Sequence, residues 1–121
     1  MQTSQQRDGR GAETIALGHL QKHGLVLLDS NFSCRVGEID LLMRDGDTLV
    51  VTEVRYRASG VEDALYSIGF RKRQRIRRAA LKFLQENPAL AEWPLRFDVI
   101  AIGGSLNEPQ ISWVADAFQD E

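Results

Sequence analysis

The chain has 121 residues and a mass of 13.6 kDa, enough for one hydrophobic core and too little for two. Hydrophobic residues make up 43% and charged residues 26%, an ordinary globular composition, and no run of about 18 apolar residues predicts a membrane span. Its only cysteine, Cys34, excludes an internal disulfide and a cysteine-based zinc cluster and reads as a bystander. The net charge of −2 conceals an asymmetry: residues 71–82 hold seven of the 15 Lys and Arg and no Asp or Glu. A basic segment on an otherwise acidic body says more about partners than the overall balance does.

Residues 1–9 are polar and read as a mobile lead-in to a single domain over 10–121. They lack the apolar core of a secretory signal, so the cytoplasm is the expected compartment. From Gly11 to His23 the pattern is helical, with Ala12, Ile15, Ala16, His19 and Leu20 at three- and four-residue steps and Gly24 as a stop. Glu13 lies along the edge of the buried face. It reads either as a first-turn glutamate favoured by the helix dipole or as a carboxylate directed at the hairpin that follows. His19 and His23 have no accompanying ligand motif and read as surface or core-edge residues. Leu25 to Phe32 reads as a strand, and Ser33 to Val36 as a short loop.

The segment Gly37–Arg57 is the informative one. Two apolar runs, Gly37–Met43 and Thr48–Arg57, enclose Arg44-Asp45-Gly46-Asp47, whose Asp-Gly and Gly-Asp pairs are hairpin-turn signals. Side chains alternate along a strand, so Glu38, Asp40 and Leu42 share one face and Ile39, Leu41 and Met43 the other. On the second strand Leu49, Val51, Glu53 and Arg55 share a face. A Gly46-Asp47 loop sets Asp40 opposite Glu53, whereas an Asp45-Gly46 turn sets Asp40 opposite Val51, one diagonal from Glu53. Both registers put the two carboxylates on one face, because a two-residue slip preserves the face. Carboxylates about 5–8 Å apart among apolar neighbours repel unless a proton or cation lies between them. Mg²⁺, which takes a few carboxylate oxygens and keeps its waters, suits the gap. The plainer reading is a wet sheet face with solvated charges.

Ala58-Ser59-Gly60 breaks the strand, and 61–70 is ambiguous, with a short helix around Glu62–Leu65. A helix from Phe70 to Glu86 is clear from the stripe Ile76, Ala79, Ala80, Phe83 and Leu84. At the α-helical pitch Arg71, Arg75, Arg78 and Lys82 fall within an arc of about 60° away from that stripe. Like charges at this spacing destabilise a helix, so the stripe marks a surface for nucleic-acid phosphates as well as a solvated face. Lys72 is out of phase with it and points toward the core side. Asn87-Pro88 ends the helix, Leu95–Ile102 reads as a buried strand, and Gln110–Val114 as a last one. Aromatics at 7% give no sign of base stacking.

Gly-Glu-Ile-Asp-Leu-Leu, a turn, then Val-Val-Thr-Glu-Val-Arg-Tyr-Arg resembles the signature of the YraN-like uncharacterised protein family, which is similar to archaeal Holliday-junction resolvases within the restriction-endonuclease-like superfamily. The resemblance extends from Gly11 to Phe118. It implies an α/β fold with a mixed central β-sheet flanked by helices, and a Mg²⁺- or Mn²⁺-dependent endonuclease acting on DNA, branched, single-stranded or duplex, in preference to RNA. The resemblance points to Asp40, Glu53, the Val54 carbonyl and Glu13 as metal ligands, with Arg55 and Lys72 beside them. Where the family usually reads Glu-Val-Lys, this chain reads Glu53-Val54-Arg55. In that superfamily the lysine lies beside the attacking water. Arginine keeps the charge but does not give up its proton, so the site is either slow or served by another amine, for which Lys72 is the candidate. A non-catalytic nucleic-acid-binding protein is the alternative, and a protein-interaction domain a third. Junction resolvases are dimers, which makes a homodimer an expectation too.

Overall fold

The computed structural model describes residues 3–118. The order is α1 (Ser4–Lys22), β1 (Val26–Cys34), β2 (Gly37–Asp45), β3 (Thr48–Arg57), α2 (Val61–Tyr66), α3 (Phe70–Glu86), a 3-10 turn at Pro88–Leu90, β4 (Leu95–Gly103) and β5 (Gln110–Val114). The five strands form one sheet in the order β1-β2-β3-β4-β5. All neighbours are antiparallel except β3 and β4. That parallel pair requires a crossover, which α2 and α3 supply. The result is an α/β domain with a mixed, helix-flanked sheet, compatible with the restriction-endonuclease-like fold.

Each sheet face carries its own core layer. Ala12, Ala16 and Leu20 of α1 pack with Leu41, Met43, Val50, Ile100 and Ile102. Ile76, Ala79, Ala80 and Phe83 of α3 pack on the other face with Leu42, Leu49, Val51, Phe97 and Val99. Adjacent residues such as Leu41 and Leu42 serve opposite layers, as strand alternation requires. Burying side chains of this size contributes about 1.5–3 kcal/mol each. Gly103 allows the end of β4 to meet the start of α2, where a Cβ would stand 2.4 Å from the Val61 nitrogen.

Two boundaries and one side-chain placement differ from the sequence expectation. The helix expected from Gly11 begins at Ser4, so residues 4–9 are helical, while Met1 and Gln2 lie outside the described residues. A capping box explains the early start: the Thr3 hydroxyl accepts the Gln6 N–H and the Gln6 side chain accepts the Thr3 N–H. The expected loop over 33–36 shrinks to Arg35-Val36, because Cys34 pairs with Gly37. Ile39 joins Leu42 in the α3 layer and does not sit with Leu41 and Met43. The β2–β3 ladder runs only from Asp45/Thr48 to Leu41/Thr52, and beyond its end β2 is free to twist.

On β4, directly across from Thr52, Asp98 is fully buried and every lobe of its carboxylate is used. Oδ1 accepts Arg96 Nε and the Asp116 N–H, and Oδ2 accepts Arg96 Nη2 and Trp113 Nε1, at 2.9–3.0 Å. It is a buried charge satisfied in the way structural carboxylates are.

Candidate active site

The hairpin between β2 and β3 closes through Gly46-Asp47, with Gly46 at φ 59; a glycine first in a two-residue loop supplies that conformation without strain. Asp45 then pairs with Thr48 and Leu41 with Thr52, the register that brings Asp40 level with Glu53. Instead of a further ladder bond, Asp40 Oδ2 accepts the Val54 N–H at 2.8 Å. The hairpin therefore opens around Asp40, and the carboxylate holds the place of a main-chain carbonyl.

Glu53 is 3% exposed, Oε2 has no hydrogen-bond partner, and Oε1 lies 3.6 Å from Lys72 Nζ. Lys72 sits in the first turn of α3, whose position depends on Gly37. A Cβ there would stand 2.9 Å from the Arg75 carbonyl oxygen, so only glycine lets β2 and α3 approach so closely.

The electrostatics follow from this crowding. Burial, and then the charge of Asp40, push Glu53 up to about 8, against the pull of Lys72 and Arg55. Asp40 is also raised by burial, opposed by the Val54 N–H, by a hydrogen bond with Glu53 and by Lys72 and Arg55. Two acidic groups close enough to hydrogen-bond, in a pocket that disfavours charge, hold a proton between them unless a cation replaces it. Half-buried Glu13 of α1 is raised by burial and by the Asp40 charge, and a hydrogen bond from the Asn31 side chain opposes the rise. A cleft of about 1000 Å³ between α1 and the β1–β2 edge is lined by Arg10, Glu13, Asn31 and Glu38.

The remaining sequence candidates divide. Arg55 contributes attraction to both carboxylates, yet its guanidinium is tied to Ser67, with Nε 2.8 Å from Oγ and Nη2 3.3 Å from the carbonyl. Val54 lines a second cleft, of about 500 Å³, with Arg55 and Gly9. Arg71, Arg75, Arg78 and Lys82 are all exposed along α3, and the face they form starts beside the Lys72–Glu53 contact. Arg77 turns away, over the Phe97 ring and onto the Phe118 carbonyl.

Two residues of the site had no sequence signal strong enough to single them out. Ser67 lies in the stretch that periodicity left ambiguous. Asn31 sits inside an apparent strand, where its φ of 52 is a conformation asparagine tolerates better than most residues.

Magnesium is satisfied by one or two carboxylates plus water, and the donor set here fits that demand. The Asp40–Glu53 pair offers a buried carboxylate oxygen with no other partner, and Glu13 stands within electrostatic reach of Asp40. Among the described residues no three His, Cys, Asp or Glu converge into a group that could hold a metal ion, so the carboxylate donors are limited to the Asp40–Glu53 pair.

A mixed sheet whose central hairpin opens around a buried Asp–Glu pair, with a lysine from the crossover helix against it, defines an α/β domain of restriction-endonuclease-like architecture built around a carboxylate centre. Within that class the chain belongs to the family described as Uncharacterised protein family UPF0102, which matches residues 12–102. It is 49% identical over 120 residues to a UPF0102 protein of Pseudomonas fluorescens, covering 98% of each chain. A UPF0102 protein of Stutzerimonas stutzeri is 47% identical over 115 residues, 94% of this chain and 96% of the relative. Among the described residues no helix is long and apolar enough to cross a membrane.

Proposed function

We propose that this chain is a metal-dependent endonuclease that hydrolyses phosphodiester bonds in DNA. The observation that carries the reading is the buried Asp40–Glu53 pair, whose Glu53 Oε2 has no partner outside the pair. Asp98 shows by contrast how this fold treats a carboxylate it needs only for structure. Two acids crowded together in a pocket that disfavours charge need a proton or a cation between them, a need that a ligand-binding role explains.

Asp40 and Glu53 would hold Mg²⁺ or Mn²⁺, with the Val54 carbonyl as a further oxygen donor and Glu13 within electrostatic reach. When bound, the ion supplies Lewis acidity toward a phosphate and lowers the pKa of water. The protein's own contribution is positional. The Val54 N–H fixes Asp40, Lys72 orients Glu53, and burial excludes competing water. Arg55 stabilises negative charge without exchanging a proton, which leaves Lys72 as the amine nearest the pair. The exposed face of Arg71, Arg75, Arg78 and Lys82 would carry phosphates without reading sequence.

One observation favours a second reading, a nucleic-acid-binding protein with a degenerate nuclease site. Arg55 stands where the superfamily has lysine, and its guanidinium is already engaged by Ser67. A cleavage screen with Mg²⁺ and Mn²⁺ over branched, single-stranded and duplex DNA, and RNA, decides between them. Metal-dependent cutting that Asp40→Asn and Glu53→Gln abolish supports the nuclease. Salt-sensitive binding with no cutting on any substrate supports the binding module.

A further inference from the structure

Two aromatic side chains are unexplained by the core or by the carboxylate centre. The chain has five Phe, two Tyr and two Trp, and all but Tyr66 and Phe70 pack into one of the two core layers. Tyr66 is 85% exposed and Phe70 53% exposed. Isolated exposed apolar residues need no explanation, but these two share one turn and that turn is anchored at the site. Tyr66 ends α2 and Phe70 begins α3. Between them Ile68 is buried in the α3 layer and Ser67 holds Arg55. Lys72, two residues after Phe70, reaches Glu53. The turn is thus pinned from beneath while its two rings remain in solvent.

The surroundings select the kind of ligand. Arg71 follows Phe70 directly, and the exposed cations of α3 continue from there with no acidic residue before Glu86. A ligand that suits aromatic faces and a cationic helix together offers flat π-surfaces and phosphates. Unpaired nucleotides do both, whereas a continuous duplex hides its base faces in its own stack.

We infer that Tyr66 and Phe70 form a stacking platform for unpaired bases, so that the substrate brought to Asp40 and Glu53 is single-stranded or locally unpaired nucleic acid. This rests on the nucleic-acid reading above and narrows it to a substrate class. Stacking on an aromatic side chain is tolerant of sequence, in keeping with a phosphate-binding face that reads none.

The test is fluorescence anisotropy in EDTA with fluorescein-labelled oligothymidylate and a labelled mixed-sequence duplex. Tyr66→Ala and Phe70→Ala should each weaken oligothymidylate binding about tenfold. Duplex binding and the salt dependence should stay as in wild type, and Phe70→Trp should retain full affinity. Both side chains are exposed, so melting temperatures should not move. Unchanged single-strand affinity, or an equal loss on the duplex, overturns the platform. So does a change in sedimentation from dimer to monomer, which would show that a second copy covers the rings. EDTA suppresses hydrolysis during the binding assay, so a wild type that binds in this way but cuts no DNA once Mg²⁺ or Mn²⁺ is supplied overturns the nuclease reading alone.

Discussion

Lys72 Nζ stands 3.6 Å from Glu53 Oε1, joining the first turn of α3 to a buried carboxylate on the central hairpin. The contact matters because the other cation near the pair, Arg55, is committed to Ser67. It therefore carries the first prediction. If Lys72 serves the reaction, Lys72→Met should abolish cleavage in Mg²⁺ and in Mn²⁺, a loss of about 10²-fold or more for a positioned proton-transfer group. Arg55→Lys should leave the rate unchanged or raise it. Wild type and Arg55→Lys both inactive on every substrate, with fold and DNA binding intact, would decide for the binding module.

The second prediction concerns the ion. A ligand that binds only the folded state stabilises by about 2.7 kcal/mol at a hundredfold excess over Kd, which is a shift of several degrees for a domain near this size. Millimolar Mn²⁺ should therefore raise the melting temperature of the wild type. Asp40→Asn combined with Glu53→Gln should remove that response and stabilise the metal-free protein by relieving repulsion. A wild-type melting temperature indifferent to Mn²⁺ would count heavily against a metal site.

The third follows from the raised acids. Glu53 ionises near 4.5 in the unfolded chain and is pushed up to about 8 in the fold. Between those values the native state binds a proton that the unfolded state has released, so the metal-free protein loses stability as pH rises across that window and the loss levels off above it. Asp40 is raised as well and acts in the same direction. Thermal melts in EDTA should fall from about pH 5 to about pH 9, and Glu53→Gln should flatten most of that slope. Mg²⁺ should restore stability at the alkaline end, where the pair is ionised. A wild-type profile that rises with pH would contradict the buried, raised state of Glu53.

The fourth concerns the cationic face of α3. If Arg71, Arg75, Arg78 and Lys82 all meet phosphates, log K should fall with log salt at a slope of roughly −3 to −4. Replacing two of them with Gln should halve the slope, read by anisotropy titrations at several salt concentrations. A quadruple variant with wild-type affinity and slope would remove α3 from the binding surface.

The hairpin and its pairing of Asp40 with Glu53 could be read from the chain because both signals are local. A polar tetrapeptide with glycine between two apolar runs specifies a turn, and the register of that turn brings Asp40 level with Glu53, although the expected alternation breaks at Asp40, beside Ile39 in the α3 layer. The phase of Lys72 against the α3 stripe was equally local. The Thr3–Gln6 capping box is written in the sequence too, but periodicity alone missed it, since no residue of α1 before Ala12 is buried. What local pattern could not supply is distance between elements. The move of Ile39 into the α3 layer comes beyond the point where the ladder to β3 stops. The capture of Arg55 by Ser67, the reach of Asn31 to Glu13, and the exposure of Tyr66 and Phe70 depend on how α1, α2 and α3 settle on the two faces of the sheet. Those contacts span many residues and arise from packing, which a one-dimensional periodicity does not encode.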